Sequence, residues 1–449
     1  MAVTIAKDHQ PLANGSGDSG ELKSRPRRMS SARRRSCDVV PSSGIHADAG
    51  FHPVERIPTY LQPEIPLRQR LHHFTFAWYT VTMSTSGISL VMALTPHRFE
   101  GLNYIGLVLF IFDLLLFILI TVSLIFRFTI HRHTFRKALT HPTEALFIST
   151  FFLSIAAILT NMDEYGNIFL GDTAKTGLSK FLQAAFWIYL TVTFLFSVLM
   201  YHLLFTVKEE RRLTVDVMTP AWILPIFPVM LAGTLAGSFS RQLPAGQAFA
   251  VLCAGLAAQG LGLLVSLFMY STYLSRLMAY GLPGQRPGMF IAVGPPSFTC
   301  AALVAMAADV PRVFTQLASD SSGSAVELSA LTGRGDVATL AAGVRLLAIA
   351  ASMFLWGLSF WFLVSALAGV ASGMPDRKFH LSWWSFVFPN VGFTIATIRM
   401  GGAIGSEGLL WASTGMTICL VIVWLFIVFR CILAVFRREI VWPGHDEDQ

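Results

Sequence analysis

Ten apolar segments, each long enough to cross a lipid bilayer, fill the chain between His73 and Phe436, and most helix-breaking residues fall in the odd-numbered ones. A run of about 18 or more apolar residues reads as a membrane-spanning helix. The segments cover roughly 73–95, 102–127, 143–162, 178–206, 218–239, 247–274, 288–308, 338–368, 381–400 and 408–436. Segment 5 holds Pro220, Pro225 and Pro228, followed by Gly233 and Gly237. Segment 7 holds Gly294-Pro295-Pro296, and segment 9 holds Pro389 and Gly392. Segment 1 has a polar run at its middle, from Thr80 through Thr82, Ser84, Thr85 and Ser86 to Gly87. Even segments such as 102–127 and 408–436 contain no proline and read as Leu/Ile/Phe rods.

An interior proline removes a backbone hydrogen bond and kinks its helix. At membrane depth the freed groups are tolerated where protein buries them or water solvates them. Pro225, Pro228, Gly294, Pro295, Pro296 and Pro389 are therefore expected as kinks in helices that line a pathway. The even segments are expected as the lipid-facing jacket. Membrane helices also carry Pro and Gly for packing alone. The alternation across ten segments favours the pathway.

Composition agrees with a polytopic membrane protein. Of 449 residues, 54% are hydrophobic and 13% charged, against about 25% charged in an ordinary soluble domain. Mean hydropathy is +0.59. Cys37, Cys253, Cys300, Cys419 and Cys431 show no spacing that suggests a disulfide framework or a zinc site, and no cofactor is expected. The net charge of +7 is assigned to membrane topology rather than to nucleic acid, because the basic residues cluster in alternate loops.

Three regions are expected: a disordered cytoplasmic stretch over 1–70, a ten-helix transport domain over 71–437 and a short tail over 438–449. The first is rich in Ser, Pro, Gly and Arg, with little to bury. Ser30 and Ser36 follow arginine runs there. They read either as basophilic kinase sites or as part of a retention and anionic-lipid signal. No cleavable signal peptide is expected, since the first apolar run begins far from the start. Arg127, Arg132, Arg136 and Lys137 follow segment 2, Lys208, Arg211 and Arg212 follow segment 4, and Arg437 and Arg438 follow segment 10. Positive loops stay inside, so both termini are expected in the cytoplasm. Short connections pair the segments as hairpins 1–2, 3–4, 5–6, 7–8 and 9–10. The longest outer connection, about 309–337, is Ser/Gly-rich and is expected to be flexible.

Intramembrane charge needs a reason, since an arginine at the bilayer centre costs roughly 2.5–3.5 kcal/mol on insertion scales. Arg399 ends an odd segment, and its planar fork suits a carboxylate. Arg345 lies early in segment 8 and reads either as an anion ligand or as a side chain that snorkels to the interface. With Arg98 and Arg241 they are expected on the outer side as an electropositive vestibule. Asn390, Ser297, Thr299, Thr82 and Ser86 lie near the breaks as neutral ligands weak enough to release an anion. Asp113 is an acid inside segment 2 with no evident local partner. Glu144 reads as a helix start.

The same broken segments carry a family resemblance. His73-Phe74-Thr75-Phe76-Ala77-Trp78-Tyr79, Phe290 through Thr299, and Trp383 through Phe393 resemble the fungal malic acid transporters of the tellurite-resistance/dicarboxylate transporter family. Plant slow anion channels and fungal sulfite efflux pumps are relatives. The resemblance spans about 70–440. It implies an all-α fold of ten transmembrane helices in five hairpins around a central pore, odd helices inside and even helices outside. It also implies a homotrimer with one pore per protomer, and a gating phenylalanine before the segment 9 proline, here Phe388. Phe386 and Phe393 are neighbours able to play that part.

The expected function is voltage-driven export of C4-dicarboxylates, chiefly malate and also succinate, across the plasma membrane. The alternatives are sulfite or inorganic-anion efflux, and proton-coupled dicarboxylate uptake. No nucleophile–base set or metal motif points to an enzyme.

Overall fold

The computed structural model describes residues 66–209, 212–319, 337–376 and 378–441. The stretch with Ser30 and Ser36, most of the 309–337 connection and the end of the tail lie outside the described residues. Among the described residues, regular structure is entirely helical. The long helices are α1 (Tyr79–Leu94), α2 (Leu102–Ile130), α3 (Ser149–Phe169), α4 (Asp172–Thr206), α5 (Phe227–Phe239), α6 (Ala245–Tyr280), α7 (Gly294–Ser319), α8 (Val337–Ala371), α9 (Phe388–Ile404) and α10 (Glu407–Phe436).

Among the described residues, seven helical stretches are long and apolar enough to cross a membrane, as a multi-pass membrane protein requires. The three that fall short, α1, α5 and α9, have 16, 13 and 17 residues. A full crossing takes about 20. Their apolar segments are longer, but each enters through 3₁₀ turns, at Phe76–Trp78, Pro220–Ile223 and Leu381–Phe386.

This placement corrects the expected kinks. Pro228, Pro295, Pro296 and Pro389 sit in the first turns of α5, α7 and α9, and Pro225 lies in the turn leading into α5. First-turn N–H groups have no intrahelical acceptor, so proline loses nothing there and its fixed φ favours the start. The prolines restart helices rather than bend them. Pro311, inside α7, is an interior proline. There the helix continues to Ser319 instead of ending near 308. Arg312 ties this extension down: it pairs with Asp309 (2.8 Å) and donates to the Ser240 and Leu243 carbonyls (3.0 and 3.1 Å).

Consecutive helices pack in pairs, α1 on α2, α3 on α4, α5 on α6, α7 on α8 and α9 on α10. The odd helices also touch one another in sequence, α1–α3–α5–α7–α9, and α9 returns to α1. Along their most apolar stretches α3 and α7 are 72% and 94% buried, whereas the even helices are only 17–39% buried. Outward faces of the even helices carry exposed Leu, Ile and Phe, among them Leu115, Leu195, Phe268, Phe354 and Phe429. An apolar surface of that extent is stable in lipid.

The few inward polar groups of the even helices satisfy the carbonyls freed at the breaks. Tyr270 donates to the Ala292 carbonyl (2.8 Å) and Ser359 to Val293 (2.9 Å). Tyr189 donates to Pro228 and Tyr201 to Trp222, each at 3.0 Å. A buried carbonyl without such a partner costs about 1–3 kcal/mol.

Arginines near even-helix ends clamp the entrances of their odd partners. Arg276 donates to the Asp216 carbonyl (2.9 Å), and Arg430 lies 5.1 Å from the Trp383 ring centroid. Arg127 donates to the Phe74 carbonyl (2.9 Å) and pairs with Glu144, both side chains being almost fully buried. Glu144 is thus half of an ion pair as well as a helix-start residue. Arg127→Met alone is expected to destabilise the protein by about 3–5 kcal/mol, because it strands a buried carboxylate. Arg127→Met with Glu144→Met should recover most of that loss, read by thermal unfolding in detergent. Equal loss in the single and double variants would contradict the pairing.

Candidate functional site

The restarts of the five odd segments converge. One cavity is lined by Thr80 and Met83 of α1, by Phe147 and by Thr150 and Leu153 of α3, by Leu224 and by Phe227 of α5, and by Ile291, Ser385 and the Phe388-Pro389 start of α9. A second is lined by Gly87 and Leu90 (α1), Ala156, Ala157 and Thr160 (α3), Leu231 and Thr234 (α5), Phe298 (α7), and Phe388 and Val391 (α9). Each has room for about one water molecule. Phe388 is common to both linings and stands between them.

Phe388 does not act alone. Its ring stacks on Phe298 at 5.2 Å between centroids and meets Phe227 edge-on at 6.3 Å. Phe227 and Phe298 meet edge-on at 5.7 Å. All three are buried. Three helices thus contribute one ring each to a single buried aromatic cluster.

Glycines make the sockets. A Cβ on Gly294 would stand 2.7 Å from the tip of Phe227, and one on Gly392 would stand 2.6 Å from Phe298. Both distances are below van der Waals contact, so any side chain at either glycine forces a ring to move. Phe386 and Phe393 belong elsewhere: Phe386 packs on Phe290 and Phe393 on Trp356.

No charged side chain lines either cavity. The hydroxyls of Thr80, Thr150 and Thr160 donate to the carbonyls of Ala77, Phe147 and Ala156 within their own segments. They must turn to offer a proton to an anion. The Thr234 hydroxyl is buried without a partner and is already free to do so.

The neutral residues expected as ligands are mostly engaged in packing. Thr82 is hydrogen-bonded to Ser154 (2.6 Å), and Ser86 accepts from Asn161 (3.0 Å). Ser297 donates to the Gly294 carbonyl (2.8 Å). Thr299 donates to Pro295 and accepts from Gln259 of α6 (2.8 Å). Asn390 donates to the Phe386 carbonyl (2.9 Å), and its amide oxygen is buried without a partner. None of the five lines either cavity.

The arginines separate. Arg399 is partly buried near the end of α9 and makes no hydrogen bond or ion pair to any described residue. The charges that act on it are those of Glu164, Arg241 and Asp163. Arg98 is held by the Ala93 carbonyl and Asn103. Arg345 is exposed on the outer helix α8 and is not brought to the others. Of the four expected arginines, Arg399 and Arg241 interact with each other, alongside Glu164 and Asp163. Phe227, Phe298, Thr234, Thr150 and Ser385 were not expected in the site. For Phe227 a signal existed: Phe227-Pro228 repeats the Phe388-Pro389 dipeptide at the start of another odd helix.

A ring of restarted helices around a buried aromatic cluster, inside a shell of lipid-compatible helices, is the architecture of a membrane transporter or channel. The chain belongs to the SLAC1 family, described as voltage-dependent anion channels, whose model matches residues 73–432. It is 34% identical over 396 residues to the malic acid transport protein of Schizosaccharomyces pombe, covering 86% of this chain and 84% of that one. A second S. pombe protein is 32% identical over 395 residues, covering 86% and 85%. The sulfite efflux pump SSU1 of Trichophyton rubrum is 24% identical over 362 residues, covering 80% and 89%. These relatives are transporters rather than enzymes.

Proposed function

We propose that this chain carries C4-dicarboxylate anions, chiefly malate, through a pathway enclosed by the five odd helices and closed by Phe388 with Phe298 and Phe227. The observation that carries the reading is the pair of cavities lined by all five odd segments and divided by one aromatic plug. In this reading all ten helices cross the membrane as five hairpins, the termini are cytoplasmic, and the protein works at the plasma membrane. The trimer implied by the resemblance belongs to the same reading.

Membrane voltage drives the export. Each charge is worth roughly 2.3 kcal/mol per 100 mV, so a dianion leaving an inside-negative cell gains about twice that. Arg399, unpaired at one mouth, is the carboxylate ligand, and its fork matches a carboxylate in two parallel hydrogen bonds. Turned threonine hydroxyls inside bind weakly enough to let the anion go. Asn390 and its unpartnered amide oxygen become available only if α9 moves.

Efflux of sulfite or another inorganic anion is the second reading. It is favoured by the absence of charge from both cavity linings and by the sulfite pumps among the relatives. Purified protein in vesicles, loaded in turn with labelled malate, succinate and sulfite, separates the two. Malate and succinate should leave faster than sulfite, with each acid competing against the other. Sulfite flux without malate flux would replace the first reading by the second.

A further inference from the structure

Asp113 lies in the middle of α2, fully buried, and neither carboxylate oxygen has a hydrogen bond of normal geometry. The Ser86 hydroxyl on α1 lies beside it. Asn161 of α3 holds that same serine, donating to its hydroxyl (3.0 Å) and to its carbonyl (2.9 Å). The Asn161 amide oxygen is itself buried and unpaired. Three helices thus meet at a buried polar cluster with more acceptors than donors.

Among the described residues, no cation balances the carboxylate. The elements packed on α2 are α1, α3, the short helix Arg132–Thr140 and the turn Leu71–His73. On α1 the only titratable side chain is Tyr79, whose hydroxyl is bonded to Thr121. On α3 they are Asp163 and Glu164 towards the helix end, and Tyr165, which donates to the Ser89 carbonyl (2.8 Å). Arg132, His133, Arg136, Lys137, His72 and His73 lie beyond the far end of α2. Arg127 on α2 itself is 14 positions away in sequence, about 21 Å along the helix, and is paired with Glu144. An isolated carboxylate at this depth is too costly to persist, and such a group takes up a proton instead. One added proton neutralises the charge and supplies a donor to the cluster.

The cluster is one side-chain layer from the pathway. Ser86 precedes Gly87 and Asn161 follows Thr160, and both Gly87 and Thr160 line the second cavity. We propose that Asp113, with Ser86 and Asn161, is a proton-binding site built into the pathway wall. Its protonation holds α1, α2 and α3 together and sets the rate at which the pathway conducts. The step is a simple uptake: a proton from water joins one carboxylate oxygen, and leaves by the same route when α1 and α3 loosen. A sodium ion is the poorer occupant, since the cluster offers few oxygens and hard cations take six or more.

Two measurements on the full chain in lipid vesicles test this. The first is infrared difference spectroscopy of wild type against Asp113→Asn. A carboxylic acid C=O band present in wild type and lost in the variant is expected. Its absence at every pH would overturn the proposal. The second is nitrate flux as a function of pH, with equal pH on both sides, because nitrate itself does not titrate in that range. Wild-type flux should change with pH. Asp113→Asn should lose that dependence and stay at the wild-type acid-side rate throughout. An unchanged pH profile in the variant, or removal of the band by sodium, would overturn it. Should Asp113→Asn fail to assemble, Asp113→Glu is expected to keep the band and to move the flux profile along the pH axis. A Glu variant with the wild-type profile would contradict the proposal. The flux arm rests on the anion-transport reading and the infrared arm does not. The band without any flux would uphold the proton site and fail only the transport reading.

Discussion

Replacing Phe388 with alanine is expected to raise anion flux by about fivefold to a hundredfold at equal protein in the membrane. In the proposed function, opening the pathway requires the Phe388 ring to leave both its partners, Phe298 at 5.2 Å and Phe227 at 6.3 Å. An aromatic pair is worth about 0.5–1.5 kcal/mol beyond its buried area. Two such contacts amount to about 1–3 kcal/mol, and each 1.36 kcal/mol is tenfold. The same ring separates the two cavities, so its loss also joins them. Phe298→Ala should give a smaller gain, because Phe388 and Phe227 still meet across the gap. Unchanged flux in Phe388→Ala, with folded protein confirmed by its melting curve, would remove the plug from the account.

Arg399→Ala is expected to weaken the apparent affinity for malate by about tenfold to a hundredfold while leaving nitrate nearly unaffected. A hydrogen bond to a charged partner contributes about 1.5–3 kcal/mol, so the net loss of one such bond from Arg399 to the carboxylate accounts for about tenfold to a hundredfold. Its surroundings sharpen the effect. With Asp163 and Glu164 ionised, Arg399 and Arg241 balance them. Removing one arginine leaves the mouth one positive charge short, which disfavours a dianion more than a monoanion. Arg399→Lys should restore the charge but not the fork, giving an intermediate affinity. Equal loss of malate and nitrate flux would show that Arg399 acts through general electrostatics or through structure.

Much of this architecture was legible in the chain before any coordinates. The alternation of broken and unbroken segments separates α3 and α7 from the exposed even helices, and the resemblance points to Phe388, whose gating part the Phe388→Ala flux tests. What failed depends on rotation about a helix axis. Ser297 and Thr299 were expected as ligands, yet Phe298 between them is the residue that lines the second cavity. One position turns a side chain by about 100°, and an inner helix buried on every side has no polar face to reveal its orientation. The prolines misled for a related reason. Composition shows that a helix is interrupted, but not whether the proline bends it or begins it. Arg127 and Glu144 were each visible, one as a loop charge and one as a helix start. Only the return of α2 beside the entrance to α3 makes them a pair. Arg345 was weighed with Arg399 because both are intramembrane charges, but the packing of α8 turns it outward.

The central claim is that voltage pulls a dicarboxylate dianion through this ring of helices. Efflux of labelled malate from proteoliposomes under an imposed potential, with the same pH on both sides, tests it most directly. The account predicts efflux that rises with the potential and needs no pH gradient, faster in Phe388→Ala than in the wild type. Efflux that ignores the potential and starts only when a pH gradient is applied would contradict it, and would make the protein a proton-coupled carrier.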